Sequence, residues 1–428
     1  MKEKSNLIKP IYDFFISSSD YNGIEMEDLF KIWNVNWVDG IYQLISLIEQ
    51  DHCIIQSSTL PYIIRNSIPT KEASINYLNH ITKGKSADLL LFKECIYPSP
   101  SFLRKHRNVD NLAPYERYLA LGGAHLNPIF FKFEVINSYL YDPRFVLELK
   151  DYHGSLKYEL KENSKLDKTG YYDLKTFGLG YNEKGIRVIV SFPRYLSRLS
   201  KSQQNLWESY EIANPSNLCK VYKPYWDNIM DGSWGFPQSL ASGILNERKY
   251  INKLWKEIFD DVLFQNDFSI EELPPYFSFL FLPTNRSLGN FIHLMDKLFS
   301  DQLNTKHLRD LIINGKEGYH RITKKFDSKI RSLNAFELWL DNIYHLKNGD
   351  DFGKIIVAPF KEIRKLRQPI AHKIENPDFY DINFYDKQTE ILRKIYNTLV
   401  NLRIVLVSHP RGINVKPPIS WSEKVYNM

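Results

Sequence analysis

Cysteine is scarce in this chain of 428 residues: Cys53, Cys95 and Cys219 lie far apart and are odd in number. They make no CxxC pair, no disulfide framework and no zinc ribbon. Long apolar runs are missing too. The greasiest stretch, Tyr276 to Pro283 (YFSFLFLP), falls well short of the roughly 18 residues a membrane span needs. The opening MKEKSNLIKPIYDFF has no apolar core of the signal-peptide kind, so a cytoplasmic chain with no membrane partner is expected. No HExxH, GxSxG or Walker A sequence occurs. His125, His153 and His320 stand alone without ligand spacing, and Asp260-Asp261 and Asp350-Asp351 read as solvated faces rather than a two-metal centre. Neither a metal nor a cofactor is expected.

What is present is an ordinary globular balance, 43% hydrophobic and 25% charged, which excludes wholesale disorder. The length suggests two or three domains. Lys and Arg number 56 against 50 Asp and Glu, a net +6 that permits an anionic partner without demanding one. Aromatics reach 14%, a property of cores and interfaces first.

The patterning predicts an α+β multidomain chain. Residues 1–65 hold a helix from Leu7 to Ser17 with Ile8, Ile11, Phe14 and Phe15 as its apolar stripe, then a short helix in EMEDLFKIW. A third helix, Val38 to Gln50, carries Ile41, Leu44, Ile45 and Ile48, and CIIQ with PYIIR suits a two-stranded wing. This order resembles a winged helix-turn-helix, which implies a third helix in the DNA major groove. Yet Asn36 to Gln50 has no Lys or Arg and holds the acids Asp39 and Glu49, whereas duplex binding rests on neutralising phosphates. A protein partner for residues 1–65 is the better expectation.

Residues 66–283 read as a central α+β region. Its first part is helical and loop-rich, and Arg104, Lys105, His106 and Arg107 form a basic patch read as a solvated loop rather than a phosphate site. From Phe130 to Leu199, FFKFEVI, RFVLELKDYHGSLKYELKE and GIRVIVSF alternate as a mainly antiparallel sheet, with His153-Gly154 as a hairpin turn. Gly178-Leu179-Gly180 precedes a strand rather than a helix and no GK[ST] follows, so a turn is expected there and not a phosphate loop. QQNLWESYEI and ERKYINKLWKEIFDDVLF are helices, joined through a Gly/Pro/Trp-rich connection from Asp231 to Pro237. The proline-punctuated ELPPYFSFLFLPTNRS marks a domain boundary.

Residues 284–412 predict a bundle of four helices, followed by a tail, 413–428. Helix one, Leu288 to Leu303, buries Phe291, Ile292, Met295, Leu298 and Phe299, and a polar, mobile stretch from Asn304 to Lys329 follows. Helix two, Leu333 to Leu346, uses Phe336, Leu340, Ile343 and Tyr344. Helix three starts near Pro359, a favoured first position, and runs through Phe360, Ile363 and Leu366. Helix four, Gln388 to Val407, carries Ile391, Leu392, Ile395, Leu399 and Leu402.

Helix three reads KEIRKLRQPIAHKIENP, with Arg367 and His372 separated by four residues and Gln368 directly after the arginine. This resembles the R-x(4–6)-H motif of HEPN domains, helical bundles found in many prokaryotic RNases and defence toxins. The resemblance spans roughly residues 285–410, and Gln368 departs conservatively from the Asn, Asp or His usual after the arginine. It implies a metal-independent endoribonuclease, in the role of a toxin or antiphage effector, with RNA as substrate. It also implies a homodimer in which two copies of the motif meet.

The chemistry fits those residue types. His372 would move the 2′-OH or leaving-group proton, Arg367 would stabilise charge on the phosphate, and Arg364, Lys365 and Gln368 would hold flanking phosphates. The alternatives are a non-catalytic HEPN scaffold that dimerises or binds RNA, and a winged-helix DNA-binding regulator. On an ideal helix positions 367 and 372 stand about 140° apart, so the two side chains converge only if the helix bends or ends between them. A kink or break is expected at 368–369, where Pro369 removes an N–H, with both side chains facing a groove.

Overall fold

The structure, a computed structural model, describes residues 4–82, 92–140, 142, 144–158, 173–213, 218–232, 238–268, 277, 281–314, 330–344, 349, 351–372, 376–422 and 425–426. It is a mixed α/β chain that divides into two compact units: residues 1–148 with 154–233, and residues 149–153 with 234–428. These do not follow the expected divisions at 65 and 283. The first 65 residues share a unit with most of the central region, and the last central helix belongs with the C-terminal ones.

The first unit opens with α1 (Lys4–Ser17), β1 (Ile24–Glu25), α2 (Met26–Trp33), α3 (Trp37–Glu49), β2 (Cys53–Ser58), α4 (Lys71–Ile81) and β3 (Lys93–Pro98). Asn36 caps α3 by accepting from the Asp39 backbone N–H, and Thr70 caps α4 in the same way. Ile8, Ile11, Leu29, Ile41, Leu44 and Ile48 fill one core, but Phe14 of the predicted stripe is exposed. The wing differs from expectation. PYIIR forms no strand, and β2 pairs antiparallel with β3 from Cys53↔Pro98 to Ser58↔Lys93, giving a sheet ordered β1-β3-β2. The local pattern could not place β3, because its partner lies across an intervening helix.

After β3 come α5 (Pro100–His106), α6 (Pro114–Ala120), β4 (Ile129–Phe131), α7 (Asn137–Leu140), β5 (Phe145–Leu149), β6 (His153–Tyr158), β7 (Leu174–Asn182), β8 (Arg187–Ser191), α8 (Pro193–Leu196), α9 (Lys201–Ser209), β9 (Cys219–Val221) and α10 (Lys223–Asp231). The strands form one sheet, β4-β8-β7-β6-β5, with β9 also on β7. The hairpin turn falls at residues 151–152, not at His153-Gly154, which already begin β6; the Lys150 N–H bonds the His153 carbonyl at 2.9 Å.

Gly178 and Gly180 are likewise not a turn. They lie inside β7, opposite Val190 and Val188 of β8. A Cβ at Gly178 would stand 2.3 Å from the Tyr225 ring, and one at Gly180 would stand 2.6 Å from Val190. The glycines let neighbouring elements approach the sheet closely.

The second unit contains β10 (Gln238–Ser239), α11 (Leu240–Phe259), α12 (Asn285–Asp296), α13 (Thr305–Asn314), α14 (Ser332–Ile343), α15 (Phe352–His372), α16 (Asn383–Val407) and β11 (Val425–Tyr426). The predicted core residues of helices one and four are buried, and so are Phe336, Leu340, Phe360 and Ile363. Three expectations change. α13 stands in the stretch read as mobile, of which 315–329 lie outside the described residues. α15 begins at Phe352, seven residues before Pro359, so that proline sits inside the helix. The tail is docked on α11 through its described residues: Tyr250 Oη donates to the Val415 carbonyl at 2.9 Å, and Trp421 Nε1 donates to buried Glu247 at 2.9 Å. Residues 272–276 and 278–280 of the expected boundary segment and residues 233–237 of the connection lie outside the described residues.

Candidate functional site

The site is built on α12 and α15, which pack against each other. α12 buries Leu288, Ile292 and Asp296 in one row of i, i+4 positions, so a carboxylate occupies the apolar stripe. On α15 the row Phe360, Arg364 continues a buried face outward into charge, with Arg367 one turn on. A buried carboxylate needs a cationic partner, and here it has two. Arg364 Nε donates to Asp296 Oδ1 at 3.1 Å, and Arg367 Nη1 donates to Asp296 Oδ2 at 2.7 Å.

Asp301 joins the cluster through a change of helix type. On an ideal α-helix positions 296 and 301 would lie about 140° apart. Residues Lys297–Asp301 form a π-type turn instead, closed by the Gln302 N–H on the Lys297 carbonyl at 3.0 Å. An i, i+5 turn aligns the two carboxylates. Arg364 Nη2 donates to Asp301 Oδ1 at 2.9 Å. Beneath the cluster the rings of Phe299 and Phe360 stack, 5.4 Å apart and 3° from parallel. The Asp296 side chain is 0% exposed, against 30% for Arg364 and 38% for Arg367. The arginines are thus anchored below and open above.

His293 stands one turn before Asp296 on α12. Loss of water holds its imidazole below the usual histidine range, and the positive charges of Arg367 and Lys297 push it the same way, against Asp296 and Asp301. Lys365 and Gln368 are exposed, and Lys361 pairs with Glu337 of α14.

α15 is helical without interruption through 368–369 to His372, so the expected break is not there and positions 367 and 372 stay on different sides of the helix axis. The His372 side chain lies outside the described residues. The structure brings Arg364 and Arg367 together on carboxylates the motif does not contain. Asp296, Asp301 and His293 were missed by motif reading. A signal was present for the first, because an acid in an otherwise apolar i, i+4 row asks for a partner. Asp301 had none, since a π turn has no sequence period.

Among the described residues, no group of three or more His, Cys, Asp and Glu could hold a metal ion, and no helix is long and apolar enough to cross a membrane. No protein-family model, curated protein or solved structure matches the chain.

Proposed function

We propose that the C-terminal helices form a metal-independent endoribonuclease of the HEPN type that acts on RNA as a dimer in the cytoplasm, in the role of a toxin or antiphage effector. One observation carries this reading: two arginines are fixed on a fully buried carboxylate while their outer surfaces stay open. An arginine held from below is pre-organised to meet a phosphate without reordering. Because positions 367 and 372 diverge around an unbroken helix, the reading requires Arg367 of one copy to work with His372 of another, and Lys365 and Gln368 are the exposed candidates for flanking phosphates.

The test is RNA cleavage by purified protein in EDTA. Cleavage is expected to rise faster than linearly with enzyme concentration near the dimer dissociation constant, and to be lost in Arg367→Ala and in His372→Ala. A first-order dependence on protein with both variants active would refute it.

A second reading has its own support. Arg364 and Arg367 are balanced by Asp296 and Asp301, which leaves little positive field for RNA and suits a non-catalytic dimerisation scaffold. Wild-type protein that dimerises but leaves diverse RNAs intact would favour it.

For the N-terminal elements, the order α1, β1, α2, α3, β2, β3, with α4 inserted, supports a winged-helix module. From Ile24 to Gln50 the acids Glu25, Glu27, Asp28, Asp39 and Glu49 face one lysine, Lys31. Val38 and Tyr42 are exposed on α3. A protein partner suits that surface better than duplex DNA.

A further inference from the structure

A cleft of about 770 Å³ opens in the first unit, within the size range of small-ligand sites. One wall is β4 with the residues that follow α9: the Ile212 N–H bonds the Phe130 carbonyl at 2.8 Å, and Glu211 bridges to Phe131. The opposite wall is β9 and α10. Its position depends on the glycines of β7. A Cβ at Gly180 would stand 3.0 Å from the Lys220 carbonyl oxygen of β9, and one at Gly178 would strike Tyr225 of α10. The two glycines that form no phosphate loop thus set the width of a cavity.

The lining has a definite chemistry. Pro128, Ile129 and Phe130 make the β4 wall apolar, and half-buried Trp226 gives the α10 wall an aromatic ring. Four charged side chains, Lys223, Asp227, Lys220 and Glu211, stand around the rim. Lys223 is held by Asp227 at 2.7 Å, which takes that pair out of play. Lys220 is exposed, and its side chain has no hydrogen bond or ion pair among the described residues. Glu211 is exposed as a residue, yet its carboxyl is held above the usual range, first by loss of water and then by the charge of Glu208; Tyr115 Oη donates to it at 3.4 Å.

We infer that this cleft binds a nucleoside monophosphate, with the base against Trp226, an N–H edge of the base on Glu211 and the phosphate on Lys220. An indole face accepts any base, a carboxylate accepts from ring or exocyclic N–H groups, and an unpaired ammonium at the mouth is a point charge for phosphate. An uncharged apolar ligand would waste both rim charges. A bare anion would have no use for the apolar lining. The inference does not rest on the nuclease reading, because it concerns the other unit.

Titration calorimetry of the full chain with AMP, GMP, CMP and UMP tests it, with inorganic phosphate and adenosine as separate arms. At least one nucleotide should bind, more tightly than phosphate or nucleoside alone. Trp226→Ala should weaken that binding about tenfold, the scale of one base–aromatic stack, and Lys220→Ala should weaken it as well. Lys220 is a surface side chain, so its variant reports even where loss of Trp226 unfolds the region. No nucleotide binding, equal binding of phosphate or adenosine alone, or binding indifferent to Lys220→Ala would each overturn the proposal.

Discussion

Asp296 is out of water and accepts from two arginines that are each about a third exposed. Removing the carboxylate strands both guanidinium groups, but their exposure lets water recover part of the loss. Asp296→Ala should therefore cost about 2 kcal/mol, less than a fully buried pair, read as a lower urea midpoint at unchanged slope. The same substitution in an Arg364→Ala, Arg367→Ala background should cost clearly less, because no stranded cation remains. Equal costs in both backgrounds would mean that the carboxylate is held by something else. Part of this residue-scale picture is legible in the sequence: the apolar row of α12 contains an acid, and the run Arg364-Lys365-Leu366-Arg367 supplies the arginines. The link between them is not, since it joins positions about 70 residues apart in the chain.

At the scale of elements, α15 shows why amphipathic periodicity locates a helix better than it bounds one. Phe360 and Ile363 mark its buried face correctly, but Pro359 suggests a start that the chain overrides. A proline inside a helix has no N–H for the Ile355 carbonyl and crowds it. The apolar contacts of Phe352, Ile356 and Val357, all buried, outweigh that penalty. Pro359→Ala should then stabilise the second unit by about 1–3 kcal/mol, seen as a raised melting temperature with unchanged far-ultraviolet helix signal. A loss of stability would show that the ring is needed for packing. The missed β3 and the misplaced turns of β6 and β7 have a different origin. Strand pairing is non-local, and a glycine inside a strand looks like a turn unless the ring it makes room for is known.

For the whole molecule, the division into two units is not a division of the sequence into consecutive blocks. Residues 149–153 count with the C-terminal unit. Asp151 shows why: its carboxyl accepts from the Ser239 backbone N–H at 2.6 Å and from the Ser239 hydroxyl, at the cap of α11. Burial raises the Asp151 carboxyl above its usual range, opposed by the Ser239 bonds. A fragment beginning at residue 234 keeps every helix of that unit but loses this anchor. It should melt at a lower temperature than the same unit in the intact chain, followed by calorimetry. Identical melting would show that the segment contributes nothing to the unit it joins.

The sequence by itself determined the presence of helices over most of the C-terminal third and an antiparallel sheet in the middle. These follow from periodicity and local spacing, which neighbouring residues carry. The tertiary structure alone decided that the two arginines share a buried aspartate, that a π turn brings a second acid to them, and that glycines in a strand open a cleft. Each depends on packing between segments distant in the chain, where burial forces every charge to find a partner and every ring to find room.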